Sequence, residues 1–174
     1  MLQVKNGDIG RTAVLFDRYH ASIYNYFMKI HRNKMISQDL TQNVFEKVIK
    51  YRSSYTDHKN FRSWVFTIAK NANIDEHRKK RPTDRCDDYV TIHSLEDNAQ
   101  EVMEKSEKSK QLMKALDMLP VEEKELIVLT KFEKMKFAQV AEIMGMTENA
   151  VKVKSHRTIK KLRAILVNEI RYEY

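Results

Sequence analysis

From Arg11 to Met144 the chain contains no glycine, and only Pro82 and Pro120 interrupt it. A stretch so poor in helix-ending residues, and rich in Leu, Ile, Lys and Glu, favours an all-α protein. Gly7 and Gly10 lie at the N-terminus, Gly145 lies in a turn, and both prolines fall between helical patterns. The 174 residues are enough for one medium domain or two small ones, each with a core.

The most structured signal is Lys136 to Leu162, KFAQVAEIMGMTENAVKVKSHRTIKKL. Phe137, Val140, Ala141 and Met144 keep helical spacing, and Gly145 follows where a chain leaving a helix takes a positive φ. Thr147 then caps a second helix, its hydroxyl accepting from a free amide of the first turn. Counted at about 100° per residue, Val151, Ser155, Thr158, Ile159 and Leu162 share one side of that helix. Asn149, Val153, His156, Arg157 and Lys160 fall opposite. Two short helices joined by a Gly-containing turn, the second basic on its outer face, match the helix-turn-helix that lays a recognition helix in the DNA major groove. An ordinary helical hairpin with a solvated lysine face is the alternative.

The net charge of +8 is unevenly spread: residues 1–82 carry +9, residues 83–107 carry −6 and residues 108–174 carry +5. Two basic blocks flanking an acidic one suit polyanion partners, although solvated helix faces account for them equally well without the motifs. A lone cysteine, Cys86, excludes an intramolecular disulfide, has no metal-ligand spacing around it and fits a reducing cytosol. No signal-peptide pattern opens the chain and no apolar run is long enough to cross a bilayer, so a soluble, cytoplasmic protein without membrane insertion is expected.

Ahead of the helix-turn-helix, Phe16, Tyr19, Ile23, Phe27 and Ile30 predict one long helix from about Asp8 to Ile30, with Tyr19, Tyr24 and Tyr26 as packing or rim residues. Ser37 is the expected cap of a second helix, with Asp39 in its first turn, a buried stripe of Leu40, Val44, Phe45, Val48 and Ile49, and a polar face of Gln38, Gln42, Asn43, Glu46 and Lys50. Residues 52–60 read as a loop. Asn60 caps a third helix whose buried side is Phe61, Val65, Ile68 and Ala72, with Trp64 at the edge and Ser63, Phe66, Lys70, Asn73 and His77 outward. An exposed Phe66 among Arg62, Lys70, Asn71 and Asn73, followed by Arg78, Lys79, Lys80 and Arg81, is what a single-stranded nucleic-acid surface needs, because rings stack on bases and cations hold phosphates. Packing of Phe66 and Trp64 against the first helix or the 52–60 loop is the alternative. Pro82 ends the helix and residues 83–107 form an acidic linker. Helicity is expected again near Asp97, through Val102, Leu112, Leu116 and Leu119. Pro120 then starts a helix with Glu122, Glu123 and Glu125 placed favourably against its dipole.

In this order and spacing the segments resemble a bacterial sigma-70 family sigma factor of the extracytoplasmic-function (group IV) type. LFDRYHASIYNYF at 15–27 is similar to region 2.1, DLTQNVFEKV at 39–48 to region 2.2, and FRSWVFTIAKNANIDEHRKK at 61–80 to regions 2.3 and 2.4. Residues 115–163 resemble region 4. The resemblance implies two small helical domains: a region 2-like unit at 1–82 and a region 4-like unit at 108–174, joined by the 83–107 linker. It implies that Asp39, Gln42, Asn43 and Glu46 meet the clamp helices of core RNA polymerase. It further implies that Lys59, Asn60, Phe61, Arg62, Trp64, Asn71, Asp75 and Arg78 capture the melted −10 element, with Phe66 and Lys70 of the outward face beside them. For the −35 element the candidates are Asn149, Lys152, Val153, His156 and Arg157 on bases and backbone, Lys154, Lys160 and Lys161 on phosphate, and Thr147 and Glu148 near the helix start. An anti-sigma protein is an implied partner; no cofactor or metal is expected.

Two positions depart from the family pattern. Ser155 stands where relatives often pack a leucine, and Val153 where they often present a serine, so a thymine methyl is a possible contact of Val153 and promoter preference does not transfer. No region 1.1, full region 3 or appended C-terminal sensor domain is expected. A stand-alone helix-turn-helix regulator lacks an obvious dimer helix here. A nucleic-acid enzyme lacks a phosphate-cradling Gly-rich loop and a metal site, since the neighbours Asp75 and Glu76 point apart on a helix.

Overall fold

The computed structural model describes residues 1–57, 59–79 and 99–172. Their helices are α1 (Leu2–Lys5), α2 (Thr12–His31), α3 (Lys34–Lys50), α4 (Phe61–Lys79), α5 (Ala99–Asp117), α6 (Val121–Ile127), α7 (Phe137–Met144) and α8 (Glu148–Tyr172), with no strand among the described residues. The all-α expectation holds. Lys80, Arg81, Pro82, Cys86 and the acidic stretch as far as Asn98 lie outside the described residues.

The first helix differs from its sequence reading at the start. A 3-10 turn at Ile9–Arg11 precedes α2, which begins at Thr12. Phe16, expected in the buried stripe, is 42% exposed; its ring lies parallel to His20 at 4.8 Å and tilts onto Phe45. The chain leaves α2 through Arg32 in the left-handed region (φ 53°). Asn33 then caps α3 by accepting from the Ile36 amide at 3.0 Å. Ser37 is therefore not the cap: it is buried inside α3 and its hydroxyl donates to the Asn33 carbonyl. Both residues are good cap formers, and a two-residue turn reaches Asn33 first. Asn60 does cap α4, its side chain accepting from the Arg62 amide at 2.9 Å.

Helix α4 departs further from its sequence pattern. It packs on α3 and also on α7. Two of its faces are consequently buried: Val65, Ile68 and Ala72 as predicted, and Ser63, Phe66 and Asn73 on the side predicted to face outward. Phe66, at 0% exposure, meets Tyr26 edge-on at 5.6 Å, and the Arg62 guanidinium lies over its ring. A one-sided reading of a helical pattern assumes one packing partner, and this helix has more than one.

One continuous apolar core runs through both halves, from Ile23, Tyr26 and Phe27 through Val44, Val48 and Val65 to Leu126, Leu129, Val140 and Val151. A smaller cluster of Ala115, Leu116, Leu119, Ile127 and Leu162 ties α5 and α6 to α8. Pro120 precedes α6, with Glu122 and Glu123 in its first turn as the dipole favours. Glu125 instead points inward and is 3% exposed. Its carboxylate accepts from the Tyr26 hydroxyl at 3.1 Å and from the Asn73 side-chain amide. Burial raises its pKa above the ordinary carboxylate value, against the opposing pull of those two donors and of Lys70. Burial and the neighbouring Glu125 charge push the Tyr26 phenol well up as well. Next to it, Lys124 donates to the Ile30 carbonyl at 2.8 Å, placing a cation at the negative end of α2, and also bonds Asp117, which pairs with Arg32. Farther along, Glu133 accepts from both Ser22 and Arg62.

Candidate nucleic-acid interface

The helix-turn-helix forms as its residues dictate. Gly145 closes α7 at φ 66°, a conformation that costs a residue with a Cβ roughly 1–2 kcal/mol. Lys136 and Gln139 brace the start of α7 through a 3.1 Å bond from the Lys136 amide. Thr147 Oγ1 accepts from the Ala150 amide at 3.2 Å and so opens α8. On α8, Val151, Ser155, Thr158 and Leu162 are buried, and the hydroxyl of Thr158 donates to the Lys154 carbonyl. Thr147, Glu148, Asn149, Lys152, Val153, His156, Arg157 and Lys160 are all exposed. The predicted division of the helix into a packed face and a donor face is therefore present, and Val153, at 50% exposure, is an apolar residue left on the donor face.

The electrostatics of that face are less simple than a row of free cations. Lys152 pairs within its own helix with Glu148 at 2.7 Å. Lys154 pairs with Glu122 at 2.8 Å and Lys161 with Glu123 at 3.1 Å, both carboxylates belonging to α6. Between α6 and α8 lies an open depression of about 450 Å³ lined by Glu123, Ala150, Val153, Lys154, Arg157, Thr158 and Lys161. Neither Arg157 nor Lys160 has a partner among the described residues.

A second surface is built at the start of α4. Tyr19, Tyr55, Phe61 and Trp64 form one aromatic cluster, Phe61 meeting Tyr19 edge-on at 5.1 Å, Trp64 meeting Tyr55 edge-on at 5.3 Å, and Phe61 tilted against Trp64. The Tyr55 hydroxyl donates to the Lys59 carbonyl at 2.7 Å, fastening the loop before the helix. Trp64 thus packs on the 52–60 loop. Lys59, Asn60, Asn71, Asp75 and Arg78 are exposed, while Phe61, Arg62, Trp64 and Lys70 are half-buried. Arg62 spends its guanidinium on Glu133, and Asp75 pairs with Lys47 at 3.3 Å. Phe66 is buried and does not form a stacking platform.

On α3, Asp39, Gln42 and Glu46 are exposed and Asn43 is half-buried; Gln42 donates to Glu46 at 3.1 Å. A depression of about 530 Å³ between α3 and α4 takes in Asp39, Asn43, Lys47, Asp75, Glu76 and Arg78. Among the described residues no three His, Cys, Asp or Glu side chains gather as metal ligands would, and no helix is long and apolar enough to cross a membrane. Sequence reasoning missed Glu125, Glu133, Tyr26 and Asn73 as polar links between the halves. It also missed the pairing of Glu122 and Glu123 with α8. The only prior signal was the presence of two apolar stripes on α4, Val65 with Ile68 and Phe66 with Ala69.

Comparison with known proteins adds an independent line. The family model described as Sigma-70 region 2 matches residues 15–83, and that described as Sigma-70, region 4 matches residues 109–162. The chain is 30% identical over 154 residues to the RNA polymerase sigma factor CarQ of Myxococcus xanthus, covering 87% of each chain. It is 27% identical over 171 residues to the ECF RNA polymerase sigma factor SigW of Bacillus subtilis, covering 92% of this chain and 91% of the relative. In fold it is similar to the sigma factor RpoE from Bartonella quintana, solved with the anti-sigma factor NepR, at a TM-score of 0.71 and 19% identity over 88% of this chain and 95% of that one.

Proposed function

The chain belongs to the sigma-70 family and is of its extracytoplasmic-function type, and from that premise we propose that it reads the −35 element as duplex with α8 and captures the −10 element as a melted strand with the start of α4. Promoter-directed transcription initiation is the activity of the family, exerted by binding core RNA polymerase and promoter DNA. The observation that carries the −35 assignment is the exposed set Asn149, Lys152, Val153, His156 and Arg157, standing opposite a packed face of Val151, Ser155, Thr158 and Leu162. Side chains there suit base edges and the nearer phosphates; Lys154, Lys160 and Lys161 suit the sugar-phosphate chain, and Thr147 and Glu148 stand at the helix start.

For the −10 element, Lys59, Asn60, Phe61, Arg62, Trp64, Lys70, Asn71, Asp75 and Arg78 remain the set, with Phe66 removed because it is buried. Melting costs a few kcal/mol per unstacked step, and a pocket for an extruded base offsets it. Asp39, Gln42, Asn43 and Glu46 on α3 form the polymerase-binding face. Asp39, Gln42 and Glu46 stand exposed there, a polar and weakly charged surface open to a partner. An anti-sigma protein covering these faces is part of the reading, supported by the likeness to RpoE in its complex with NepR.

Run-off transcription from a pooled promoter library, with core polymerase from the source organism and with or without this chain, tests the whole. Chain-dependent starts sharing two spaced motifs are expected. Absence of such starts together with tight binding to isolated duplex would transfer the assignment to a stand-alone regulator. For the inhibitor, pull-downs under non-inducing conditions that recover polymerase subunits alone would refute it.

A further inference from the structure

Two of the lysines that track phosphate in the reading above are already neutralised inside the molecule. Lys154 is held by Glu122 at 2.8 Å and Lys161 by Glu123 at 3.1 Å. The lysines are seven residues apart, two turns of α8 or roughly 10 Å along its axis, and so form one stripe facing α6. Arg157 lies between them along that stripe, borders the same depression, and has no partner among the described residues. Glu122 and Glu123 are adjacent at the start of α6, where the helix dipole independently favours carboxylates. The stripe thus carries one free cation and two whose charge is cancelled by a neighbouring element.

We infer that Glu122 and Glu123 act as built-in counter-ions that hold back duplex binding by the recognition helix, so that α8 engages DNA when polymerase supplies the local concentration. The inference rests on the duplex-reading assignment of α8. Its physical basis is counter-ion release. A phosphate neutralised by a free lysine sheds its condensed cation, and affinity then falls with salt at a slope of about 0.9 per phosphate. A lysine that arrives with its own carboxylate brings no net charge and releases nothing. Lys154 and Lys161 accordingly add little to the affinity of the free chain for arbitrary duplex. Once the chain is tethered to polymerase the effective concentration is high, and the missing attraction is no longer limiting. These two carboxylates touch no base; they set the threshold at which α8 commits to DNA.

The test uses the full-length chain and a fluorescent mixed-sequence duplex of about 30 base pairs, titrated by anisotropy at NaCl from about 50 to about 400 mM. Glu122→Gln/Glu123→Gln should steepen the slope of log affinity against log salt by up to about 1.8, which at about 0.1 M salt is a gain of up to about 60-fold. A slope change below about 0.5, or no gain at the lowest salt, overturns the inference while leaving the α8 assignment standing. Adding Arg157→Ala in the same background separates the two. If affinity falls and the slope drops by about 0.9, duplex lies on α8 as assigned; if affinity and slope persist unchanged, duplex binds elsewhere, and both the assignment and the inference fail. Should the double variant melt early, Glu122→Gln alone, which alters the more exposed of the two carboxylates, should give about half the slope change.

Discussion

Replacing Glu125 by alanine removes the acceptor of two donors at once, and those donors come from the other half of the chain. The Tyr26 hydroxyl and the Asn73 amide both bond Glu125 and are themselves fully buried. Each donor left without a partner costs about 1–3 kcal/mol, so the gross loss is about 2–6 kcal/mol. Part is returned, because the alanine variant no longer buries a carboxyl whose raised pKa shows that burial outweighs its stabilising neighbours. A net loss of about 2–4 kcal/mol is expected, or about 4–16 °C in melting temperature for a chain of this size.

Glu125→Gln separates hydrogen bonding from charge. It keeps an acceptor for both donors and should lie within about 1 kcal/mol of the parent at pH 7. The two variants also differ in pH response. Because the folded carboxyl holds its proton more tightly than the unfolded one, its contribution is fully present below the unfolded value near 4.5 and is lost as pH rises through the raised folded value. The parent should therefore lose stability relative to Glu125→Gln as pH rises through that window, and run parallel to it above. Urea unfolding of all three proteins across acid to neutral pH measures both effects. The reasoning is refuted if the alanine variant melts with the parent, or if the glutamine variant shows the parent's full pH dependence over the window.

Asp39→Arg should weaken binding to core polymerase without lowering the melting temperature, whereas Arg157→Ala, which removes a cation of α8 with no partner among the described residues, should lower promoter affinity and spare polymerase binding; equal loss of both activities from either change, measured by pull-down and promoter titration, would mean the surfaces are misassigned. Val151→Asp places a carboxylate at a fully buried site of α8 and should cost about 3–5 kcal/mol, seen as loss of soluble, cooperatively melting protein. Gly145→Ala meets no atom within 4 Å of the added Cβ, so only the positive φ opposes it. A loss of about 1–2 kcal/mol in urea unfolding is expected, and a neutral result would contradict the left-handed turn.

The two faces of α8 were legible because it has one packed side: Val151, Ser155, Thr158 and Leu162 repeat at helical spacing and leave Val153 and Arg157 outward. Gly145, Thr147 and Asn60 were legible for a related reason, since each satisfies a local backbone requirement that needs no knowledge of the rest of the fold. Helix α4 was not. Its Phe66 meets Tyr26 of α2 and its Asn73 bonds Glu125 of α6, some forty and fifty residues away, and periodicity within a window does not report distant partners. Ser37 and Asn33 pose the same difficulty on a smaller scale, as two suitable caps four residues apart are told apart only by where Arg32 turns the chain. Glu122 and Glu123 looked like dipole partners and are; that they also reach across to Lys154 and Lys161 depends on how α6 lies against α8.

The second buried face of α4 has a consequence for synthesis. At a ribosomal rate of about 5–20 residues per second, the roughly 70 residues between Asn73 and Gly145 take about 4–14 s to emerge. Throughout that interval α4 lacks the α7 it packs on, and for the first 52 residues of it Tyr26 and Asn73 await the Glu125 carboxylate. Maturation of the first half is thus clocked by translation of the second, and a pause or truncation before α7 would leave a sticky, half-finished bundle for chaperones and proteases to judge.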